Sequence, residues 1–393
     1  MRLLSTALGL PQHRFASIHV VGTNGKSSVT RMIAALLEAH GPRAGACVSP
    51  HAERWSERVL VGGEEIGADE FAAAVERVAR AAETVNRGLE KGEEVTQFEV
   101  ATAAAFVALA DARVDVAVVE AGLGGKLDAT NTIPSRVTVL TSIGLDHTEW
   151  LGESGAEIAA EKLAVLRDQT TLVRGRVSPE VAALAERTAA GRGAELIVAP
   201  EDPGEGVELR AAGAFQRRNF ALARASAEAF LGELDEDRVA GVAATLTVPG
   251  RLERVADDPP TLLDVAHNPD GATALAEGLR EVAGDRPVVA CLAVLAEKDA
   301  EAMIAALAPA ITRLVTADGP QSEHIDRFEA GRRWFGAAGL AALAGEAGVD
   351  AEAVGDFGAA VRRARDLALQ LDGALLVTGS HYVLVPARAA LGL

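Results

Sequence analysis

The run Ile18-His19-Val20-Val21 passes directly into Gly22-Thr23-Asn24-Gly25-Lys26-Ser27-Ser28, and few folds accommodate such a junction. The apolar stretch reads as a buried strand. Beyond the glycines, Val29, Met32, Ile33, Leu36 and Leu37 recur at helical spacing, so the order is strand, loop, helix. Glycines free backbone N–H groups to turn inward on a polyanion, and the helix adds the positive end of its dipole. Lys26 is in register to reach outer phosphates, and Ser27 or Ser28 to offer an oxygen to Mg²⁺. The full eight-residue phosphate loop needs a glycine where Val20 stands, so this is the shortened G-x-x-G-K-S form. A Gly-rich turn without ligand is the bland alternative. The flanking strand and helix, with Lys and Ser in register, favour a nucleotide phosphate site.

At 393 residues the chain has room for two or three domains. Its formal net charge of −18 argues against nucleic acid or an anionic membrane as partner. An anionic ligand must then be met by local Lys, Arg and metal. Cys47 and Cys291 lie far apart with no ligand spacing and read as buried thiols in a reducing compartment. The apolar run of Met1 to Leu10 is broken by Ser5 and Thr6 and followed by Pro11-Gln12-His13-Arg14, which reads as a short leading helix rather than a targeting segment. No apolar stretch approaches bilayer length, and a cytoplasmic protein is expected.

Further along, Ala44 to Val48 reads as a strand delivering Ser49-Pro50-His51, residues fit for a metal, a substrate or a polar turn. Helices are expected from Asp69 to about Asn86 and from Gln97-Phe98-Glu99 to about Ala110. Val114 to Glu120 is a strand closing on a carboxylate, and ligands of open parallel sheets sit at the carboxyl ends of strands. A polar, glycine-rich loop follows from Gly122 to Asn131. The strand Val137 to Ile143 then ends in Gly144-Leu145-Asp146-His147. Three strands thus deliver phosphate-binding, acidic, and acidic-plus-imidazole groups to one edge, where hard cations find oxygen ligands around phosphates. The helix Glu157 to Leu166 carries Glu161-Lys162, by itself a solvated pair.

Pro179 to Val198 reads as another αβ unit, and Asn219 as the start of an Ala-rich helix to about Leu231. Leu246 to Glu253, with Pro249-Gly250, reads as a domain junction. After it come a strand from Thr261 to Val265 containing Asp264, the run His267-Asn268-Pro269-Asp270-Gly271, and strands Pro287 to Val294, Thr312 to Thr316 and Ala374 to Val377. The last ends in Thr378-Gly379-Ser380-His381. Strands alternating with helices through both halves predict two α/β domains with mostly parallel sheets, residues 1–247 and 248–393.

In this order the blocks Gly22–Ser27, Ser49-Pro50-His51, Phe98–Thr102, Glu120–Gly125, Leu127–Asn131, Ser142–His147, Glu161-Lys162, Pro249–Glu253 and Asp264–Pro269 resemble the Mur ligase superfamily, most closely its folylpolyglutamate synthase/dihydrofolate synthase branch. The similarity spans nearly the whole chain. It implies a Mur-ligase-like phosphate-loop ATPase domain over 1–247 and a smaller Rossmann-like glutamate-ligase domain over 248–393. It also implies ATP on Gly22, Thr23, Asn24, Gly25, Lys26, Ser27 and Ser28, with further contacts from Asn219, Arg251 and Asp264. By the same resemblance Ser49, Glu120 and His147 are Mg²⁺ ligands, and Lys162 is a lysine that takes up CO₂ as a carbamate to hold a second Mg²⁺. This outranks the solvated-pair reading. Lys26, Lys162 and His147 are the implied catalytic residues; Phe98, Asp128, His267 and Ser380 are implied on the substrate side.

The chain departs from the family in places. Ser27 replaces a usual glycine, so it is expected to bind metal directly. Leu163-Ala164 replaces Ala-Gly after the lysine, Lys126 replaces arginine, and the leader before the first strand is short. The implied reaction is ATP-dependent amide formation between a folate or dihydropteroate carboxylate and L-glutamate through an acyl phosphate. The expected partners are small molecules only, acting on a monomer. The alternatives are a Mur-type ligase for another carboxylate and a catalytically lapsed nucleotide-binding protein. A cell-wall Mur ligase carries a nucleotide-sugar domain before the phosphate loop, for which the 21 residues preceding Gly22 leave no room.

Overall fold

Strand β1 (Ala16–Val21) sets Ser17 and His19 between apolar residues, yet neither face is open: Ser17 to Val21 are all closed to solvent. A strand covered on both faces needs parallel neighbours with helices on either side. In the computed structural model, which describes residues 1–320 and 333–393, contacts divide the chain into two α/β units. One comprises Met1–Leu209 and Arg218–Leu246, the other Arg210–Arg217 and Thr247–Leu393.

The first unit continues with β2 (Ala44–Cys47), β3 (Val59–Val61), β4 (Glu64–Glu65), β5 (Val116–Glu120), β6 (Val137–Leu140), β7 (Thr171–Arg174) and β8 (Glu195–Val198). Among the described residues they form an eight-stranded sheet in the order β4-β3-β2-β5-β1-β6-β7-β8. Only β3 and β4 run antiparallel to their neighbours. The register sets Val20 of β1 opposite Glu120 on one side and Val139 on the other. The carboxyl ends of β5, β1 and β6 are therefore level, and whatever follows each strand leaves from one edge.

Helices α1 (Arg2–Ala7), α2 (Lys26–Ala39), α3 (Ala68–Asn86), α4 (Gln97–Asp111), α5 (Thr148–Leu151), α6 (Gly155–Leu163) and α7 (Pro179–Arg192) belong to this unit. Residues of α3 and α4 share a core with Ala117 and Val119 of β5, and those of α6 and α7 with Leu140 of β6 and Leu172 of β7. Helix α4 starts at a capping box: Glu99 N donates to Thr96 Oγ1 at 3.2 Å and Thr96 N to Glu99 Oε2 at 2.9 Å. Ser154 and Glu157 do the same for α6. Helix α2 differs. Gly25 precedes it at φ 85° and has no side chain with which to cap, so its first-turn N–H groups gain no acceptor from that position.

In the second unit β9 (Glu253–Asp257), β10 (Pro260–Leu263), β11 (Val288–Leu292), β12 (Arg313–Ala317), β13 (Asp350–Val354) and β14 (Ala374–Thr378) form a six-stranded sheet among the described residues, in the order β13-β12-β11-β14-β10-β9. Only β9 is antiparallel. Segment 210–217 belongs here because Phe215 packs on the core of Leu252, Leu275 and Leu279. Cys291 of β11 and Cys47 of β2 are both buried and free, and burial pushes each thiol up to about 12.

Three expected placements shift. The strand beginning at Val137 stops at Leu140 rather than Ile143, because the Thr141 and Ser142 hydroxyls turn to the phosphate loop. Asp264 lies just past β10 rather than within it; its carboxylate accepts from Leu252 N and Ala266 N, which bends the chain out of the strand. Asn219 sits inside the helix α8 (Ala214–Leu231) instead of at its start.

Gly45 shows how tightly the first sheet is covered. A Cβ there would stand 2.4 Å from Leu109 Cδ2 and 3.1 Å from Val114 Cγ1, both side chains being buried. Gly45→Ala is expected to cost about 1–3 kcal/mol from overpacking. Urea unfolding of Gly45→Ala, Leu109→Ala and the double variant should show a smaller alanine cost once Leu109 is truncated.

Candidate active site

The loop after β1 is stitched to the segment after β6. Thr23 N donates to Ser142 O at 2.8 Å, and Asn24 N to Ser142 Oγ at 3.1 Å. Thr141 Oγ1 and Ser142 Oγ donate to Asn24 O at 2.6 and 3.1 Å, and Thr23 exchanges bonds with Gly144. Gly22 is required by this contact: a Cβ there would stand 1.9 Å from Thr141 Oγ1. Gly25 meets Asn219 less tightly, with a Cβ falling 2.8 Å from Asn219 Oδ1. Asn219 thus lies against the loop. Lys26 Nζ donates to Thr23 O at 3.0 Å and stays at the loop's centre.

Glu120 closes the other side. Its carboxylate, 3% exposed, accepts from Ser27 Oγ on Oε1 and from Ser49 N on Oε2, each at 3.0 Å. Ser27 Oγ also lies 3.2 Å from Ser49 O. The Ser27 hydroxyl, the Ser49 backbone and the buried Glu120 carboxylate, from separate parts of the sequence, therefore meet beside the phosphate loop. Ser28, the other hydroxyl candidate, is buried and its Oγ has no hydrogen-bond partner. His51 is also buried, and its Nδ1 accepts from Arg58 Nε at 2.8 Å.

His147 stands at φ 51°, an uncommon left-handed position for a residue with a Cβ, at the start of α5. Its Nε2 lies 3.8 Å from Asp146 Oδ1, and the side chain is partly exposed. Among the described residues no three His, Cys, Asp or Glu side chains are grouped to hold a metal ion. Within the expected set only Glu120 and His147 are of those types, so a cation there would draw on serine oxygens as well. The hard-oxygen donors Ser27, Ser49 and Glu120 fit Mg²⁺.

Lys162 is buried, 4% exposed, and so is not part of a solvated face. Burial, reinforced by repulsion from Lys26, lowers its amine to about 7, against attraction from Asp146, Asp128 and Glu161. Its sequence position held the clue: Lys162 follows Ile158 by four residues and Ala159 by three, on the buried face of α6. The glycine-rich loop comes close to it. A Cβ on Gly125 would stand 2.8 Å from both Glu161 O and Lys162 O.

Sequence reasoning missed what holds that loop. Asp128 Oδ2 accepts from Leu123 N at 2.8 Å; Oδ1 accepts from Thr130 N at 2.9 Å and from Thr130 Oγ1. Behind Thr130, buried His19 offers Nε2 to Thr130 Oγ1 at 2.8 Å. Because the threonine proton goes to Asp128, His19 must donate. Burial drops His19 to about 3, and Arg167 adds to the shift, so the imidazole is neutral. The tip of the Phe98 ring reaches the loop's start, where a Cβ on Gly122 would meet Cζ at 2.3 Å.

The second unit presents its expected residues around a short loop. Arg251 Nη1 donates to Gly250 O at 3.1 Å. Asp264 is buried and raised by desolvation, against the opposing charge of Arg251 and two backbone hydrogen bonds. Both of its carboxylate oxygens are engaged, by Leu252 N and Ala266 N at 2.8 Å each. His267 Nδ1 donates to Val265 O at 2.9 Å, which leaves Nε2 as the acceptor. Ser380 is buried, its Oγ accepting from Tyr382 N at 3.4 Å.

A glycine-rich loop between strand and helix, level with a buried carboxylate and close to a buried lysine, suits a nucleotide-dependent ligase. Comparisons with known proteins agree. The Mur ligase middle domain family matches residues 20–190, and the Mur ligase glutamate ligase domain family matches 250–381. The chain is 37% identical over 365 residues to the dihydrofolate synthase/folylpolyglutamate synthase of Mycobacterium tuberculosis strain H37Rv, covering 82% of this chain and 74% of that one. The structure of M. tuberculosis folylpolyglutamate synthase complexed with ADP superposes with a TM-score of 0.91 at 33% identity, covering 100% of this chain and 94% of that chain. A bifunctional folylpolyglutamate synthase/dihydrofolate synthase with Mn, AMPPNP and L-glutamate bound gives 0.82 at 29% identity, covering 99% and 93%. The class is that of the Mur ligases. Within it, the chain belongs to the dihydrofolate synthase/folylpolyglutamate synthase family.

If Asp128 organises the loop, Asp128→Ala leaves two backbone N–H groups and a hydroxyl without an acceptor. A loss of about 1–3 kcal/mol is expected, read by urea unfolding of the protein without ligands. An Asp128 held in reserve for substrate would leave the unfolding midpoint unchanged.

Proposed function

We infer that this enzyme, an ATP-dependent carboxylate–amine ligase, joins the carboxylate of dihydropteroate or a folate to the amine of L-glutamate. The observation that carries the reading is the convergence of Ser27, Ser49 and Glu120 on the loop of Lys26, with buried Lys162 nearby. The acceptor class is supported by the names of the relatives. It also suits the exposed apolar side chains Leu123, Leu127 and Leu145, in the loops after β5 and β6, and Trp150 of α5, which could meet a flat ring.

In the proposed reaction the acceptor carboxylate oxygen attacks the γ-phosphorus of ATP, the bond to ADP breaks, and an acyl phosphate forms. The glutamate amine then attacks the acyl carbon, phosphate leaves, and the amine loses a proton to solvent. Carboxylate and phosphate repel one another, so the first step needs charge cancelled and atoms aligned. Lys26 and the first-turn N–H groups of α2 hold the phosphates. Ser27, Ser49, Glu120 and His147 would hold a divalent cation, which supplies charge neutralisation and orientation of the phosphate oxygens when bound. Asn219, Arg251 and Asp264 bind the remainder of the nucleotide. Phe98 and Asp128 shape the acceptor side, directly or through the Gly122–Asn131 loop, with His267 and Ser380 on the glutamate side.

Lys162 serves a second cation once modified. Its neutral amine attacks the carbon of CO₂, an N–C bond forms, and a proton leaves to water, turning a cationic position into an anionic carbamate. A protonated Lys162 would repel a cation, so the modification reverses the sign of the site's charge. The depressed pKa supports this, since only the free amine reacts. The buried free thiols of Cys47 and Cys291 suit a reducing, cytoplasmic setting.

The test is Mg²⁺- and ATP-dependent incorporation of labelled L-glutamate, run in parallel with dihydropteroate and with tetrahydrofolate. Incorporation with at least one acceptor is expected, and Glu120→Gln should lower kcat/KM by at least about 100-fold, the size of a lost charge-stabilising contact. ATP binding with neither acceptor glutamylated would overturn the folate reading.

A further inference from the structure

The first sheet has a second feature at its opposite edge. A cavity of about 640 Å³ opens where Gln12 and His13 lead into β1, Arg136 into β6 and Thr170 into β7. The length of β1, roughly 20 Å, separates it from the phosphate loop. Its volume lies within the usual small-molecule range, about 300–1,000 Å³.

The lining is unusual for this chain. It holds the guanidinium groups of Arg2, Arg136 and Arg167 and the imidazole of His13, and no carboxylate. The chain as a whole has 56 acidic residues against 38 Lys and Arg, so a lining with arginines and no carboxylate runs against composition. Among the described residues none of these arginines is ion-paired. Arg167 is held in place by Asn131 O, Asn131 Oδ1 and the Ile133 carbonyl, the first two at 2.8 Å. Burial lowers its pKa, and the positive charges of Arg2 and Arg192 lower it further.

A second, independent observation points the same way. Ser5, Gln12 and Ser135 line this cavity at no more than 2% exposure, and Ser5 Oγ, Gln12 Oε1 and Ser135 Oγ have no hydrogen-bond partner. Buried polar atoms left without partners are rare and call for a missing one. Two hydroxyls can donate, and a half-turn of the Gln12 amide brings its NH₂ into the same position. An entering anion would satisfy these donors and neutralise the clustered guanidinium groups together. Arginine forks suit phosphate and carboxylate oxygens in particular.

We propose that this cavity is a second anion site, separate from the phosphate loop, for a small molecule carrying two or more phosphate or carboxylate groups. Pyrophosphate is the probe, titrated calorimetrically in metal-free buffer into three proteins. Lys26→Ala disables the phosphate loop and should retain a binding event. Arg2→Ser/Arg136→Ser removes two exposed cations, so its unfolding midpoint and its glutamate incorporation should match the parent protein. Its affinity at the Lys26-independent site should fall at least tenfold, and added salt should weaken what remains. The proposal is overturned if Lys26→Ala abolishes all pyrophosphate binding, or if the double variant binds as the parent does. Arg136→Glu serves as a second reading of the same site, and unchanged affinity there would contradict it equally.

Discussion

Parallel pairing of β1 with β5 on one side and β6 on the other is the constraint from which the site follows. Because Val20 stands opposite both Glu120 and Val139, three chain reversals leave the sheet at one level. The phosphate loop, the Glu120 carboxylate and the Thr141–His147 segment are neighbours for that reason, although 93 positions separate Ser27 from Glu120 and 118 separate Asn24 from Ser142. The hydroxyls of Thr141 and Ser142 then fasten the loop to β6, and Ser27 and Ser49 fasten it to Glu120. A one-residue slip of β5 would turn the carboxylate to the other face of the sheet and dissolve the cluster.

Burial of Lys162 is the costly element in this arrangement. The fold places an amine in a space it shares with Lys26 and offsets the cost partly through Asp146, Asp128 and Glu161. A depressed lysine pKa means the folded protein binds fewer protons than the unfolded chain between about 7 and the ordinary lysine value of 10.5. Stability therefore rises with pH across that window, and the full penalty applies below it. A structural lysine would gain nothing from this. A lysine meant to react as a free amine gains its reactive form near neutral pH.

Much of the fold was legible because its signals are local. The apolar run before Gly22, the helical spacing after it and the carboxylate at the end of β5 each need only a few residues to read. The short β3 and β4 and the charged edge strand β9 went unread, since two to five residues are too few to show a periodicity. At the site, Ser27, Ser49 and Glu120 were legible as types, but not the hydrogen bonds that join them. Lys162 was misread locally as solvated, although Ile158 and Ala159 set the buried face on which it lies. Asp128 and Asp264 show the opposite limit. Both carry carboxylates engaged with backbone N–H groups, an arrangement that depends on loop closure and leaves no pattern in the sequence.

The central claim is that Lys162 is an amine poised for carbamylation rather than a buried ammonium. The most direct measurement is a ¹³C NMR spectrum of the protein equilibrated with ¹³C-bicarbonate and Mg²⁺, compared with Lys162→Met and followed as pH is raised. The account predicts a carbamate carbon signal that is absent from Lys162→Met and grows as pH passes through about 7. No such signal, with Lys162 titrating as an ordinary lysine, would contradict it.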